Sequence, residues 1–262
     1  MVRTDYYRTR TDTKTTFIDC RYSHRAVSPE EAMDTIYTDG TYLRNNPDWH
    51  VDDSPWKARH IARMLERNRV APMTVCEVGC GGGEILRNLA SELDPRTRFF
   101  GYEISPVAYS ICSKKASDKF QYKLANLLEE PAHFDLVMSI DVFEHVEDYF
   151  AFLRKLRTKG RYKLFHIPLE LSVLEVARAA PLMHQRRSVG HIHHFSKETA
   201  LASLEDTGYR IIDHQFTCGR TELPQPGWKS QLLKWPRELL HAVNPDWAAR
   251  WLGGYSLLVL AE

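Results

Sequence analysis

No run of apolar residues in this 262-residue chain approaches the twenty or so needed to cross a bilayer. The opening stretch, MVRTDYYRTRTDTKT, is polar and lacks the apolar core of a secretory signal. Both absences lead us to expect a cytoplasmic protein, or at most one peripheral to a membrane. Cysteine is scarce. Cys20, Cys76, Cys80, Cys112 and Cys218 form an odd, scattered set with neither a paired framework nor a CxxC zinc pattern. An excess of one charge is missing too: the formal net charge is +1, which weighs against bulk nucleic acid as the main partner. Local pairs such as Arg186-Arg187 do not change that. There is no internal repeat and no low-complexity tract. What remains is 43% apolar and 26% charged, an ordinary globular composition in a chain long enough to bury a core unaided.

From residue 74 onward, short apolar runs alternate with helical patterns, the signature of a parallel sheet wrapped by helices. Strands are expected at Thr74–Val78, Arg98–Glu103, Gln121–Ala125, Phe134–Ile140 and Arg161–Ile167. Helices are expected at Glu84–Ser91, Pro106–Ala116 and Asp148–Lys159. Lys197–Thr207 reads as a further helix stopped by Gly208, followed by strands at Tyr209–Gln215 and Ser256–Ala261. Upstream, Ser28 and Ser54 each precede a proline and read as helix caps. The expected division is an N-terminal extension with lid helices (1–69) and one α/β domain (70–262), with an insertion at 217–253. That insertion carries Trp228, Trp235, Trp247 and Trp251 and must have structure or function of its own. It reads as one or two amphipathic helices, either a packed flap, a pocket lid or a membrane-surface contact.

The strongest motif is Val75-Cys76-Glu77-Val78-Gly79-Cys80-Gly81-Gly82-Gly83-Glu84. An apolar strand ends in an acid, turns through glycines and enters a helix. Gly79 and Gly81 let the backbone turn sharply and approach a ligand, and Gly83 starts the helix close to the strand. A dinucleotide fingerprint would need glycine where Glu84 stands, and a carboxylate there would repel a pyrophosphate. Twenty residues after Gly83, Glu103 closes the second strand, the place for an acceptor of two ribose hydroxyl hydrogen bonds.

Glycines at the first, third and fifth positions after an acid resemble motif I of class I S-adenosylmethionine (SAM)-dependent methyltransferases. The resemblance spans about 70 to 262. It implies a Rossmann-like, seven-stranded mixed sheet with an antiparallel last strand, and SAM as cofactor with S-adenosylhomocysteine as product. It places Glu77 beneath the methionine moiety, Glu103 and Ile104 at the ribose, and Asn126 and Leu127 at the adenine edge. Asp141 joins them at the end of the fourth strand.

Asp141-Val142-Phe143-Glu144-His145 resembles the corresponding segment of small-molecule O-methyltransferases such as the ubiquinone-pathway enzymes. It also resembles the metal-binding segment of small-RNA 3′-terminal 2′-O-methyltransferases, in which a later histidine completes the site. Gly190-His191-Ile192-His193-His194-Phe195 supplies candidates for that histidine. If extended, it points His191 and His193 one way and His194 the other. Glu144, His145 and His193 are the catalytic candidates, as general base or substrate contacts. Asp141, Glu144, His145 and His193 are the candidate ligands of a divalent metal. Tyr37, Tyr42, Trp49, His50, Trp56 and Lys57 are lid or acceptor candidates, together with His191 and His194, and Lys57 is expected to meet an anionic substrate.

The leading expectation is methyl transfer from SAM to an oxygen or nitrogen of a small polar metabolite, for instance a sugar or nucleotide sugar. Two others stand beside it: metal-assisted RNA 3′-end 2′-O-methylation, and a non-catalytic SAM-binding scaffold subunit. The RNA reading lacks a basic stripe to hold a phosphate chain. The oligomeric state is not encoded in any motif.

Overall fold

The computed structural model describes residues 51–223 and 234–262. The expected helix at Ser28 and the lid candidates Tyr37, Tyr42, Trp49 and His50 lie outside the described residues, as does Trp228.

Seven strands form one sheet in the order β3-β2-β1-β4-β5-β7-β6. They are β1 (Thr74–Val78), β2 (Arg98–Glu103), β3 (Phe120–Leu124), β4 (Phe134–Ile140), β5 (Gly160–Leu169), β6 (Ile211–Thr217) and β7 (Tyr255–Ala261). The first five run parallel, while β7 is inserted antiparallel between β5 and β6. The expected mixed sheet with an antiparallel last strand is therefore present.

The sheet is covered on both faces, which is why β1 and β4 read as nearly continuous apolar runs instead of alternating ones. Side chains of successive strand residues fall into two separate cores. Cys76, Val78, Val137, Phe165, Ile167 and Val259 belong to one; Val75, Leu136, Met138, Leu164 and Leu258 belong to the other. Helix α1 (Ser54–Arg67) presents Ala58, Ile61, Met64 and Leu65 at helical spacing and adds them to the second core. The 69/70 boundary expected from the sequence thus cuts through a continuous core. Truncating a wholly buried residue such as Leu136 would cost about 2–5 kcal/mol.

Helices α2 (Glu84–Leu89), α3 (Pro106–Cys112) and α4 (Tyr149–Arg157) connect the parallel strands. Two short helices, α5 (Val173–Arg178) and α6 (Ala180–Ser188), follow β5 where the sequence showed only an irregular stretch. Helix α7 (Lys197–Asp206) has a capping box in which Ser196 and Thr199 exchange side-chain and backbone hydrogen bonds. The 217–253 insertion contains α8 (Gly219–Glu222), α9 (Lys234–Val243) and α10 (Pro245–Leu252). Trp235, Leu239, Val243, Trp247 and Trp251 of this insertion are exposed. Among the described residues, no helix is long and apolar enough to cross a membrane.

One cap differs from expectation. Helix α1 starts at Ser54 itself, with Asp53 in the capping position and no side-chain cap bond. The Asp53 carboxylate is instead drawn to Lys57, one helical turn further on, at 2.8 Å.

Candidate active site

The glycine turn after β1 has the backbone its composition requires. Gly79, Gly81 and Gly83 all have positive φ, at 66°, 52° and 76°. A Cβ on Gly83 would come within 2.8 Å of the Tyr122 ring. The turn is tied to β2 from two sides: Gly79 N–H donates to the Tyr102 carbonyl (2.8 Å), and Gly81 N–H donates to Glu103 Oε2 (2.8 Å). The other Glu103 oxygen accepts from Ser105 N–H at 2.7 Å. Burial raises the pKa of Glu103, while these backbone donors pull it back.

Beneath the turn, Glu77 is almost fully buried and its Oε2 has no hydrogen-bond partner among the described residues. Burial pushes its pKa well above the usual carboxylate range, against the pull of Lys57. Next to β3, Asn126 Oδ1 accepts from Leu128 N–H at 3.0 Å and so fixes the single helical turn at Leu127–Glu129. Ile104, just beyond β2, stays exposed.

The end of β4 is strained. Asp141 has φ 52°, a left-handed conformation unusual for a residue with a side chain. It is held there by three contacts. Its Oδ2 receives Lys57 Nζ (2.8 Å), its Oδ1 meets His166 Nδ1 (2.6 Å), and its N–H donates to the His166 carbonyl (3.0 Å). Burial acts to raise the Asp141 pKa, yet His166 and Lys57 hold it well below the carboxylate range. Burial likewise opposes charge on Lys57, and Asp141 with Asp53 reverses that and raises its pKa. His166 Nε2 is within 2.9 Å of Thr217 Oγ1, so both ring nitrogens are engaged.

Three residues further on, Glu144 is 1% exposed, and neither carboxylate oxygen has a hydrogen-bond partner among the described residues. Its backbone carbonyl accepts from both Ile192 N–H and His193 N–H at 3.0 Å. That double acceptance turns the histidine segment around Glu144, so the segment is not extended. As a result His191 and His194, not His191 and His193, converge on one partner. Their Nδ1 atoms lie 2.8 and 2.5 Å from the two oxygens of Glu170. His193 points elsewhere and donates from Nε2 to the Glu147 carbonyl at 3.1 Å.

His145 donates from Nδ1 to the Gly190 carbonyl (3.1 Å), and its ring packs edge-on against His191 at 4.7 Å. Burial, then the neighbouring His191, lowers its pKa to about 4, so it is a neutral imidazole at physiological pH. One ligand-type atom from each of Glu144, His145 and His191 lies within 4.8 Å of the others. The expected metal set is therefore corrected. Asp141 is taken by Lys57 and His166, His193 by the Glu147 carbonyl, and His191 stands where His193 was expected.

A cavity of about 320 Å³ opens at the carboxyl ends of β4 and β5, where open α/β sheets receive ligands. Trp56, Lys57, Asp141, His145, His166, His191 and Arg220 are on its wall, whereas His193 is not. Lys57 is not available to an anionic substrate as expected, because its ammonium is shared between two carboxylates. Trp56 is buried and donates from Nε1 to Glu222 Oε2 at 2.8 Å, which closes this side of the cavity with α8.

A family model described as a methyltransferase domain matches residues 50–214. This chain belongs to the methyltransferase-domain family. The class is SAM-dependent, as the acid–glycine–acid pattern implied. Among solved structures, this methyltransferase resembles magnesium protoporphyrin IX methyltransferase from Synechocystis PCC 6803 with bound S-adenosylhomocysteine. The match has a TM-score of 0.58 at 16% identity and covers 89% of this chain and 99% of that one. It also resembles a SAM-dependent methyltransferase from Mesorhizobium loti (TM-score 0.51, 16% identity, covering 76% and 95%). A third similar structure is the cyclase SpnF (TM-score 0.55, 16% identity, covering 78% and 79%). At these identities the likeness is one of fold, and the presence of a cyclase shows that the fold alone does not name the reaction. No curated protein matches the sequence.

Among the wall residues of the methyltransferase that had escaped sequence reasoning are His166, Glu170 and Arg220. His166 and Glu170 sit in and after β5, where a polar residue at the carboxyl end of a central strand is the available signal. Arg220 had none, since it lies in an insertion whose path no periodicity sets.

Proposed function

We propose that this methyltransferase moves the methyl group of SAM to an oxygen or nitrogen of a small polar acceptor bound in the 320 Å³ cavity. A cavity of that size suits a small metabolite, such as a sugar or nucleotide sugar. The carrying observation is that His145 and His191 share this wall with the end of β4, the strand next to the glycine turn. The cofactor fits the residues present. Glu77 offers a buried, unpartnered oxygen to an ammonium, Glu103 offers ribose acceptors, and Gly79 to Gly83 leave room for close approach. Asn126 and Leu127 line the adenine side and Ile104 the ribose side in this reading, while Asp141 contributes by holding the strand end and not through its occupied carboxylate.

SAM bound there supplies an electrophilic methyl on a sulfonium. The protein then positions the acceptor and excludes water as the cation is neutralised. His145, neutral at physiological pH, can accept the acceptor's proton. Release of S-adenosylhomocysteine from SAM across a panel of hydroxylated and amino metabolites tests the reading. Absence of SAM binding by calorimetry would sink it.

Metal-assisted transfer has an observation of its own, the approach of Glu144, His145 and His191. Both histidines commit Nδ1 to oxygen acceptors, which leaves Nε2 as the lone-pair atom, and Glu170 supports His191 as ligand-orienting carboxylates do. A divalent ion there would lower the pKa of an acceptor hydroxyl. Metal analysis of untagged protein and turnover before and after chelation separate the two. Turnover that survives chelation leaves the general-base reading.

A further inference from the structure

We propose that the acceptor is an anion, and that Arg220 binds its carboxylate or phosphate group at the β7 end of the cavity. This rests on the methyltransferase reading of the same cavity and adds the chemical class of the molecule that enters it.

The cavity's other charged side chains each have a close partner. Asp53 and Asp141 share Lys57, each at 2.8 Å, and Asp141 also holds His166. Glu170 is spanned by His191 and His194. Arg220 differs. Among the described residues its guanidinium has one ionic contact, Nη2 to Glu175 Oε1 at 3.6 Å, too long for a hydrogen bond. Its side chain is 42% exposed and lines the cavity. Five N–H donors are thus arrayed around a cation with one distant partner.

The position of Arg220 is built into the backbone. Gly254 has φ 82°, and a Cβ placed there would lie 2.5 Å from Arg220 Cδ, so the arginine stem rests on a bare Cα. Behind it, Arg237 is 2% exposed and donates from Nε to the Gly253 carbonyl and from Nη2 to the Leu252 carbonyl. The Glu175 carboxylate that Arg220 approaches is itself engaged by Ser172 Oγ at 3.1 Å. Among the described residues the Arg220 guanidinium thus has donors to spare on the cavity wall, and its planar fork fits a carboxylate or phosphate with two parallel bonds.

Gly254 precedes β7, and β5 lies between β7 and β4 in the sheet, so the anionic group and the β4 end, where methyl transfer is placed, sit in different parts of the cavity. The acceptor is read as a small molecule with a nucleophile at one end and a negative charge at the other.

The test uses the full chain saturated with S-adenosylhomocysteine, with inorganic phosphate and acetate as probes. Calorimetry is expected to show binding of at least one probe that Arg220→Met weakens tenfold or more and Arg220→Lys weakens less. SAM affinity should stay within about twofold in both variants, which shows that they fold. Turnover panels then pair sugar phosphates with free sugars, and hydroxy acids with their methyl esters. The charged members are expected to react, with KM rising at least tenfold in Arg220→Met and kcat changing less, and the arm that reacts identifies phosphate or carboxylate. Probe binding that is absent or insensitive to Arg220→Met overturns the proposal, as does equal turnover of the neutral members. Loss of SAM binding in the wild type would instead count against the methyltransferase reading itself.

Discussion

The carboxylate of Asp141 receives the Lys57 ammonium at 2.8 Å, and this pair fastens the first described helix to the strained end of β4. Removing the cation leaves Asp141 and Asp53 close together with only His166 to balance them. Lys57→Met is therefore expected to lower stability by about 3 kcal/mol, the lower end for a buried pair broken from one side. The sign with pH follows from Asp141. Its native pKa is depressed, so its contribution is complete above the ordinary carboxylate pKa and is lost as the pH falls through the native one. Urea titrations at pH 7 and pH 3 should show a smaller acid loss in Lys57→Met than in wild type. A change under about 0.5 kcal/mol at pH 7 would mean the pair is incidental.

His145 gives a second, separable pH dependence. Its native pKa is pushed down to about 4 by burial, below the ordinary histidine value. A depressed group contributes stability above its unfolded pKa, near 6.5, and that contribution disappears as the pH falls toward 4. We expect a loss of roughly 2–3 kcal/mol across this window in wild type, and a flatter profile in His145→Asn. Denaturant midpoints measured between pH 7 and 4 would decide it.

Glu103 holds the Gly81 N–H at 2.8 Å and the Ser105 N–H at 2.7 Å, so it shapes the turn as well as facing the ribose in our reading. Glu103→Ala should weaken SAM binding by about 2–4 kcal/mol, from the loss of charge-assisted bonds. Isothermal titration with SAM checks this, and an unchanged affinity would remove Glu103 from the cofactor site.

Gly83→Ala should be damaging twice over. The backbone there has φ 76°, and the added carbon would meet Tyr122 at 2.8 Å. Truncating Tyr122 in the same chain should recover only the steric part. Thermal unfolding and SAM titration of the single and double variants would separate the two costs. Full recovery in the double variant would show that φ is not limiting.

The histidines should divide sharply. His191 lies on the cavity wall beside His145, whereas His193 bonds outward to the Glu147 carbonyl. Alanine at 191 is expected to reduce turnover at least tenfold, and alanine at 193 less than twofold. Equal effects would return the site to the arrangement expected from the sequence.

The glycine turn, the acids near the ends of β1 and β2, and the starts of β1, β2 and β4 were readable from the chain alone, because each depends on neighbours within one element. The apolar runs of β1 and β4 and the positive φ at Gly79, Gly81 and Gly83 are local requirements, and composition expresses them directly. The antiparallel place of β7 was legible only through the family resemblance, since its partners β5 and β6 are distant in sequence. Tertiary structure alone decided which charges meet. Lys57 could have faced an acceptor, but folding α1 onto the sheet brings it to Asp141. Strand spacing put His191 and His193 on one side and His194 on the other, but two backbone bonds to the Glu144 carbonyl turn the segment so that His191 faces His145 and His193 faces away. Arg220 was invisible for the same reason: its charge matters through Glu175, and its place through Gly254, all brought together only by packing.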